Sequence, residues 1–231
     1  MIDPGRSRAA RCLTSALVLV ALLASAGACF RGSLPAREYY RLQLPDTLLP
    51  PRVAGVASAP APLEGSLAVG SYRAPGLYGR AGLVFRLDGT EYGSYPSREW
   101  AIPLGDQLGL LTEAVLQRTP LTRDGALFEP PNERSHAYLW RGTIREFEEV
   151  DRPDGTVHAA VRLEAVLLRA RDDSVLWSRS VRVERVVAQP TMSGIVEELS
   201  SIAVEVVGTL VAEARLHLTQ PASARANGTP R

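Results

Sequence analysis

Three apolar alternations separated by two turns govern what this chain can fold into. Tyr138, Trp140 and Ile144 mark the first; Val157, Ala159, Val161, Leu163, Ala165 and Leu167 the second; Val175, Trp177, Val181, Val183 and Val187 the third. Successive side chains of a strand point to opposite faces, so a period of two predicts three strands, each with one face against a core. Asp151-Arg152-Pro153-Asp154-Gly155 and Arg171-Asp172-Asp173-Ser174 are turn sequences between them, which makes the strands an antiparallel meander. The opposite face carries Glu146, Glu148, Arg162, Glu164, Arg182 and Glu184, expected to form solvent-facing cross-strand ion pairs. Val166, Leu168 and Val186 lie among them, so part of that second face is expected to be covered.

Shorter elements precede the meander. Residues 38–44 read as a first strand with Tyr40, Leu42 and Leu44 on one face. Residues 45–62 hold five prolines and read as a connector. Residues 65–72 read as a second strand, 77–80 as an irregular turn, 82–86 as a third strand, and 91–95 as a short edge strand after an Asp88-Gly89 turn. Ser97-Arg98-Glu99-Trp100 then introduces a helix over 103–118, whose Leu104, Leu108, Leu111 and Val115 recur at four, three and four. A short strand is expected at 126–128. A long helix over 193–216 buries Ile195, Leu199, Ile202, Val206, Leu210 and Val211, with Glu197, Glu198, Glu205 and Glu213 outward. Residues 219–231 are small and polar and read as a disordered tail.

The N-terminal stretch sets the compartment. Arg6, Arg8 and Arg11 precede an apolar run of about 11 residues, 13–23, short of the roughly 20 that span a bilayer. Small residues then lead into Cys29, the pattern of an export signal with a processing site. Cleavage before Cys29 leaves a mature chain with one thiol, since Cys12 is the only other cysteine. Two readings follow. Ala26-Gly27-Ala28-Cys29 resembles a bacterial lipobox, whose cysteine becomes an acylated, palmitate-bearing N-terminus; ordinary signal-peptidase cleavage after Ala26 or Ala28 would leave a secreted protein. On the first reading residues 1–28 are a lipoprotein signal peptide, 29–37 a tether and 38–218 the domain. Phe30 stands where inner-membrane lipoproteins carry aspartate, so the resemblance to sorted lipoproteins implies the outer membrane.

Chemistry is sparse. A net charge of +1, with all 26 basic residues arginine, excludes a nucleic-acid surface. His136, His158 and His217 lack metal-site spacing, and no nucleophile elbow, phosphate loop or dinucleotide fingerprint is present. The paired acids Glu148-Glu149, Asp172-Asp173 and Glu197-Glu198 are expected to be solvated charge rather than acid–base machinery. No enzyme activity, metal or cofactor is therefore expected. Leu77, Tyr78, Phe85, Tyr92, Tyr95 and Trp100 read either as core and edge cover or as an apolar surface for a partner or a lipid chain.

The order of these signals resembles the ABC-type transport auxiliary lipoproteins, the PqiC-like family. A lipobox cysteine is followed by a Tyr-x-Leu strand (Tyr40-Arg41-Leu42), a Leu/Tyr-rich segment running into an apolar strand closed by arginine (Leu77 to Arg86), and a Trp-x-x-Pro-Leu entry to an amphipathic helix (Trp100-Ala101-Ile102-Pro103-Leu104). The resemblance implies an α/β fold: one domain, a mixed sheet with antiparallel hairpins, and two main amphipathic helices packed on it. It implies a non-catalytic, outer-membrane-anchored component of an ABC/MCE-type lipid transport system that docks the MCE-domain protein, with Cys29 lipidated, and it allows self-association into a homo-oligomeric ring. Leu77, Tyr78, Phe85, Arg86 and Trp100 are the expected partner-binding residues. An adaptor for a cell-wall synthase or an outer-membrane assembly complex is the alternative.

Overall fold

A computed structural model describes residues 36–43, 60–87, 90–129 and 135–220, and residues 37–231 form one compact unit. The expected signal peptide and Cys29, Leu44, the connector's residues 45–59, the Asp88-Gly89 turn and the tail from 221 lie outside the described residues. In chain order the elements are β1 (Glu38–Tyr40), β2 (Leu67–Val69), a 3-10 turn (Gly76–Gly79), β3 (Gly82–Leu87), β4 (Glu91–Trp100), α1 (Leu104–Arg118), β5 (Ala126–Phe128), β6 (Tyr138–Asp151), β7 (Val157–Arg169), β8 (Ser174–Val186) and α2 (Met192–Thr219).

All eight strands form one open mixed sheet. β6, β7 and β8 are the antiparallel meander. On its other edge β6 carries two partners end to end, because a strand has only two edges: β2 runs parallel to it at Tyr138, Leu139 and Trp140, and β3 at Glu148 to Asp151. The sheet therefore forks beyond β6, with β5 beside β2 in one limb and β4 then β1 beside β3 in the other. Between the limbs Arg73 makes an isolated parallel bridge to Thr143 of β6 before residues 74–81 leave the sheet.

Both helices cover one face. The expected α1 stripe is buried, and so is the α2 stripe from Ile195 to Val211, which meets Trp140, Val161, Leu163, Ala165 and Leu167 in one core. Long apolar stripes at helical spacing have no stable place except against such a sheet. Thr191 caps α2, its Oγ1 accepting from Gly194 N at 3.2 Å. Thr191→Ala is expected to cost about 1 kcal/mol, measured as a shift in urea midpoint at unchanged slope.

Several expectations are corrected. β1 stops at Tyr40. β4 is neither short nor an edge strand: it runs ten residues between β1 and β3, taking up Ser97-Arg98-Glu99-Trp100, because β1 pairs with that end. Val175 is exposed at the end of the edge strand β8 rather than inward. The second face is covered in part, as expected, where Val166 and Ala170 pack on a small cluster of Ala68, Leu139 and Leu168, but Val186 is exposed rather than covered. The largest correction concerns Glu148 and Glu149, which are buried rather than solvated. A bulge between Ile144 and Glu146 shifts the register, so Ile144 and Phe147, three residues apart, both face the helices.

Other charges on the meander form ion pairs, Arg182 across the strands with Glu146 at 2.7 Å, as expected, and along β8 with Glu184 at 2.6 Å, while Glu164 pairs across to Arg145 at 2.6 Å. In the β7–β8 turn Asp172 accepts from Ser174 N at 3.1 Å and Oγ at 2.6 Å, which holds its carboxyl down at about 2. A depressed acid contributes stability above its ordinary value of 3.8 that is lost as pH falls through about 2. Carboxyl carbon shifts followed by NMR should place the Asp172 midpoint near 2, and Ser174→Ala should move it back towards 3.8.

Candidate functional site

The candidate site grows from the place where residues 74–81 leave the sheet. Gly76 adopts φ +64°, a left-handed conformation that favours glycine, and this lets the chain turn sharply after Pro75. The short 3-10 turn then projects Leu77 and Tyr78, and Trp100 N donates to Ala81 O at 2.7 Å, closing the excursion against the end of β4.

Beneath it lies a buried charge cluster. Glu148 has no exposed surface; Arg86 Nε donates to its Oε1 at 2.7 Å and the Tyr78 hydroxyl donates to its Oε2. Burial first, then the hydrogen bond and charge of Glu148, pushes the Tyr78 hydroxyl far above its ordinary value, so it is a permanent donor. Burial pulls the Arg86 guanidinium down, but its bond and charge pairing with Glu148 push it up on balance. The Arg86 guanidinium also sits 5.8 Å over the Tyr92 ring.

A second cluster mirrors it one residue along. Tyr95 OH donates to Glu149 Oε2 at 2.8 Å, Arg98 lies 4.8 Å over the Tyr95 ring, and Phe85 tilts against that ring at 4.9 Å. Burial raises the Glu149 carboxyl, the Tyr95 hydrogen bond opposing it, and burial also raises the Tyr95 hydroxyl. Adjacent residues of β6 thus anchor different groups of the β3–β4 limb from opposite faces.

A groove of about 400 Å³ opens between the excursion and the start of α1, walled by Ser71, Tyr78, Arg80, Trp100, Pro103 and Leu104, with Tyr78 shared between it and the Glu148 cluster. Trp100 forms part of its floor: the ring is buried edge-on to Phe147 at 5.7 Å. Of the five residues singled out from sequence, the structure brings Tyr78 and Arg86 together on Glu148 and sets Tyr78 and Trp100 in the groove wall. Phe85 packs on Tyr95, and Leu77 is half-buried beside Tyr78. Sequence reasoning missed Glu148 as their common partner. The spacing of three between Ile144 and Phe147, where an unbroken strand requires two, was the available signal.

The histidines tie structure together. His136 bridges Ser66 Oγ at 3.1 Å and Glu129 Oε2 at 3.2 Å, His158 contacts Thr156 at 3.0 Å and Glu184 at 3.3 Å, and His217 ends α2. Among the described residues no three His, Cys, Asp or Glu side chains are grouped to hold a metal ion.

Known structures share this fold. A Xanthomonas campestris protein, XCC0632, aligns with a TM-score of 0.64 at 18% identity over 78% of this chain and 96% of its own. A second, uncharacterized protein aligns with a TM-score of 0.55 at 17% identity, covering 77% and 98%. No curated protein matches in sequence. Residues 47–211 match the family described as the ABC-type transport auxiliary lipoprotein component, which takes in every strand but β1, all of α1 and most of α2. The chain therefore belongs to the ABC-type transport auxiliary lipoprotein family.

Proposed function

We propose that this protein is the outer-membrane-side docking component of an ABC/MCE-type lipid transporter, anchored through an acylated Cys29 and receiving the MCE-domain partner on the surface between Leu77 and Trp100. The observation that carries the reading is the Tyr78–Glu148–Arg86 lock. A connector free of function has no need of a fully buried carboxylate, whereas a docking surface that must keep its shape gains from one. The groove, joined to the lock through Tyr78, presents Tyr78, Trp100 and Leu104 as apolar surface with the exposed Arg80 at its rim, a combination suited to a protein partner. Its role is positional: the anchor fixes the membrane, the tether limits reach, and the groove fixes the partner.

The test is in-cell crosslinking of the tagged protein followed by mass spectrometry, with Cys29→Ala and Leu77→Asp as controls. Recovery of an MCE-domain protein that weakens in both variants supports the proposal. Recovery of cell-wall synthases or assembly factors, with no transporter component, overturns it in favour of the adaptor role.

A further inference from the structure

The open end of the β3–β4–β1 limb carries a feature that docking of a protein partner does not absorb. Trp100 N reaches Ala81 O and Ala101 N reaches Tyr40 O, each at 2.7 Å, so residues 80–81, 100–102 and 40–41 lie side by side. This places Arg80 and Arg41 on either side of Ile102. Both arginines are exposed, and neither makes an ion pair or side-chain hydrogen bond among the described residues. Ile102 is 37% exposed, and Tyr39, on the strand leading in, is 60% exposed. The acids of this end are already engaged: Glu99 with Arg37 at 3.3 Å and Glu38 with Arg98 at 3.7 Å, leaving Asp106 in the first turn of α1 as partial compensation. The outer edge of β1 pairs with no strand among the described residues.

We infer that this end is the surface with which the domain rests on the bilayer of its own anchor, Arg41 and Arg80 meeting anionic lipid headgroups while Tyr39 and Ile102 enter the interface. The inference rests on the lipid-anchor reading. Only seven residues lie between Cys29 and Arg37, a span of eight steps at most about 3.5 Å each, which keeps β1 within roughly 30 Å of the membrane. β1 is thus the first element of the compact unit to meet it. Arginine and tyrosine beside an apolar residue form the composition that settles at headgroup depth, where guanidinium and phenol stay wet and the stems are buried. A patch with so few charges binds weakly alone; the anchor supplies the local concentration, and the patch supplies orientation. The groove then opens beside the membrane, since Arg80 belongs to both.

The experiment uses the chain from Phe30 onward, which holds the whole compact unit and no acyl acceptor. It is pelleted with vesicles of 30% phosphatidylglycerol in phosphatidylcholine, or phosphatidylcholine alone, at low and raised salt. Binding to the anionic vesicles only, lost at raised salt, is expected. Arg41→Gln and Arg80→Gln should each weaken it roughly fivefold. Tyr39→Ser and Ile102→Ser should weaken it as well, with melting unchanged in all four. No pelleting at low salt, or pelleting that ignores all four substitutions, overturns the inference. So does concentration-dependent self-association without vesicles that the same substitutions abolish. Mass measurement of acylation on the wild-type Cys29 is scored separately. Acylation without pelleting removes the patch and keeps the anchor, and pelleting without acylation does the reverse.

Discussion

Arg86→Ala should destabilise the domain by about 3–5 kcal/mol, the cost of leaving one member of a buried ion pair without its partner. Glu148 is fully buried and Arg86 nearly so, the guanidinium side chain retaining 13% of its surface. Without Arg86 the fully buried carboxylate keeps the Tyr78 hydroxyl as its side-chain partner among the described residues. For a domain of this size the loss appears as a fall of roughly 10 °C in midpoint by circular dichroism. Tyr78→Phe should cost less, about 1–2 kcal/mol, because it removes one hydrogen bond and leaves the charges paired. Replacing both ions together, Arg86→Met with Glu148→Leu, should recover most of the loss of the single variant, since a well-packed apolar pair has no desolvation penalty to offset. That double variant separates stability from function. It should fold, yet the excursion at 74–81 is then no longer tied to β6 and crosslinking to the transporter partner should fall. An Arg86→Ala protein within 1 kcal/mol of wild type would mean that Glu148 finds water, and the lock would not exist.

Much of the fold was legible because its largest part obeys one period at a time. β7, α1 and α2 run in uninterrupted alternation or in helical stripes, and β5 was found to the residue despite its three-residue length. What was hidden arises from contacts that a single strand does not encode. β4 extends to Trp100 because β1, some sixty residues earlier, pairs there in parallel. No property of residues 97–100 distinguishes that strand end from a helix approach. The forked sheet is equally non-local: β2 and β3 were both legible as strands, but nothing within either shows that they share one edge of β6. At the site, the aromatic and arginine members were visible as residue types. Their shared carboxylate was not, because Glu148 belongs to the meander and its burial depends on a bulge. Leu77, Tyr78 and Trp100 owe their arrangement to the excursion, and the excursion owes its shape to a residue seventy positions away.

The same dependence predicts that Gly142→Ala will be as damaging as loss of the lock. A Cβ at Gly142 would stand 2.2 Å from two atoms of the Tyr72 ring. That ring cannot swing aside: Tyr72 is 2% exposed, its hydroxyl shares a 2.9 Å hydrogen bond with Thr112 Oγ1 and accepts from Trp140 Nε1 at 3.1 Å, and Trp140 stacks on Trp177 at 5.6 Å. Overpacking of 1–3 kcal/mol together with the two strained hydrogen bonds gives an expected loss of about 3 kcal/mol or more. The cause can be isolated by a cycle with Tyr72→Ala, which empties the space the new methyl needs. Gly142→Ala should then add less than about 0.5 kcal/mol to the cost of Tyr72→Ala alone, whereas additive losses would place the strain elsewhere. The functional consequence follows from the backbone. Tyr72 N donates to Gly105 O at 3.0 Å, and a Cβ at Gly105 would meet Tyr72 O at 2.2 Å, so this contact sets how closely the start of α1 approaches the sheet. Leu104 and Pro103, which wall the groove, are carried by that same turn. A displaced Tyr72 therefore moves one wall of the groove while the lock at Glu148 holds the other, and partner crosslinking should fail in Gly142→Ala at temperatures where the protein is still folded.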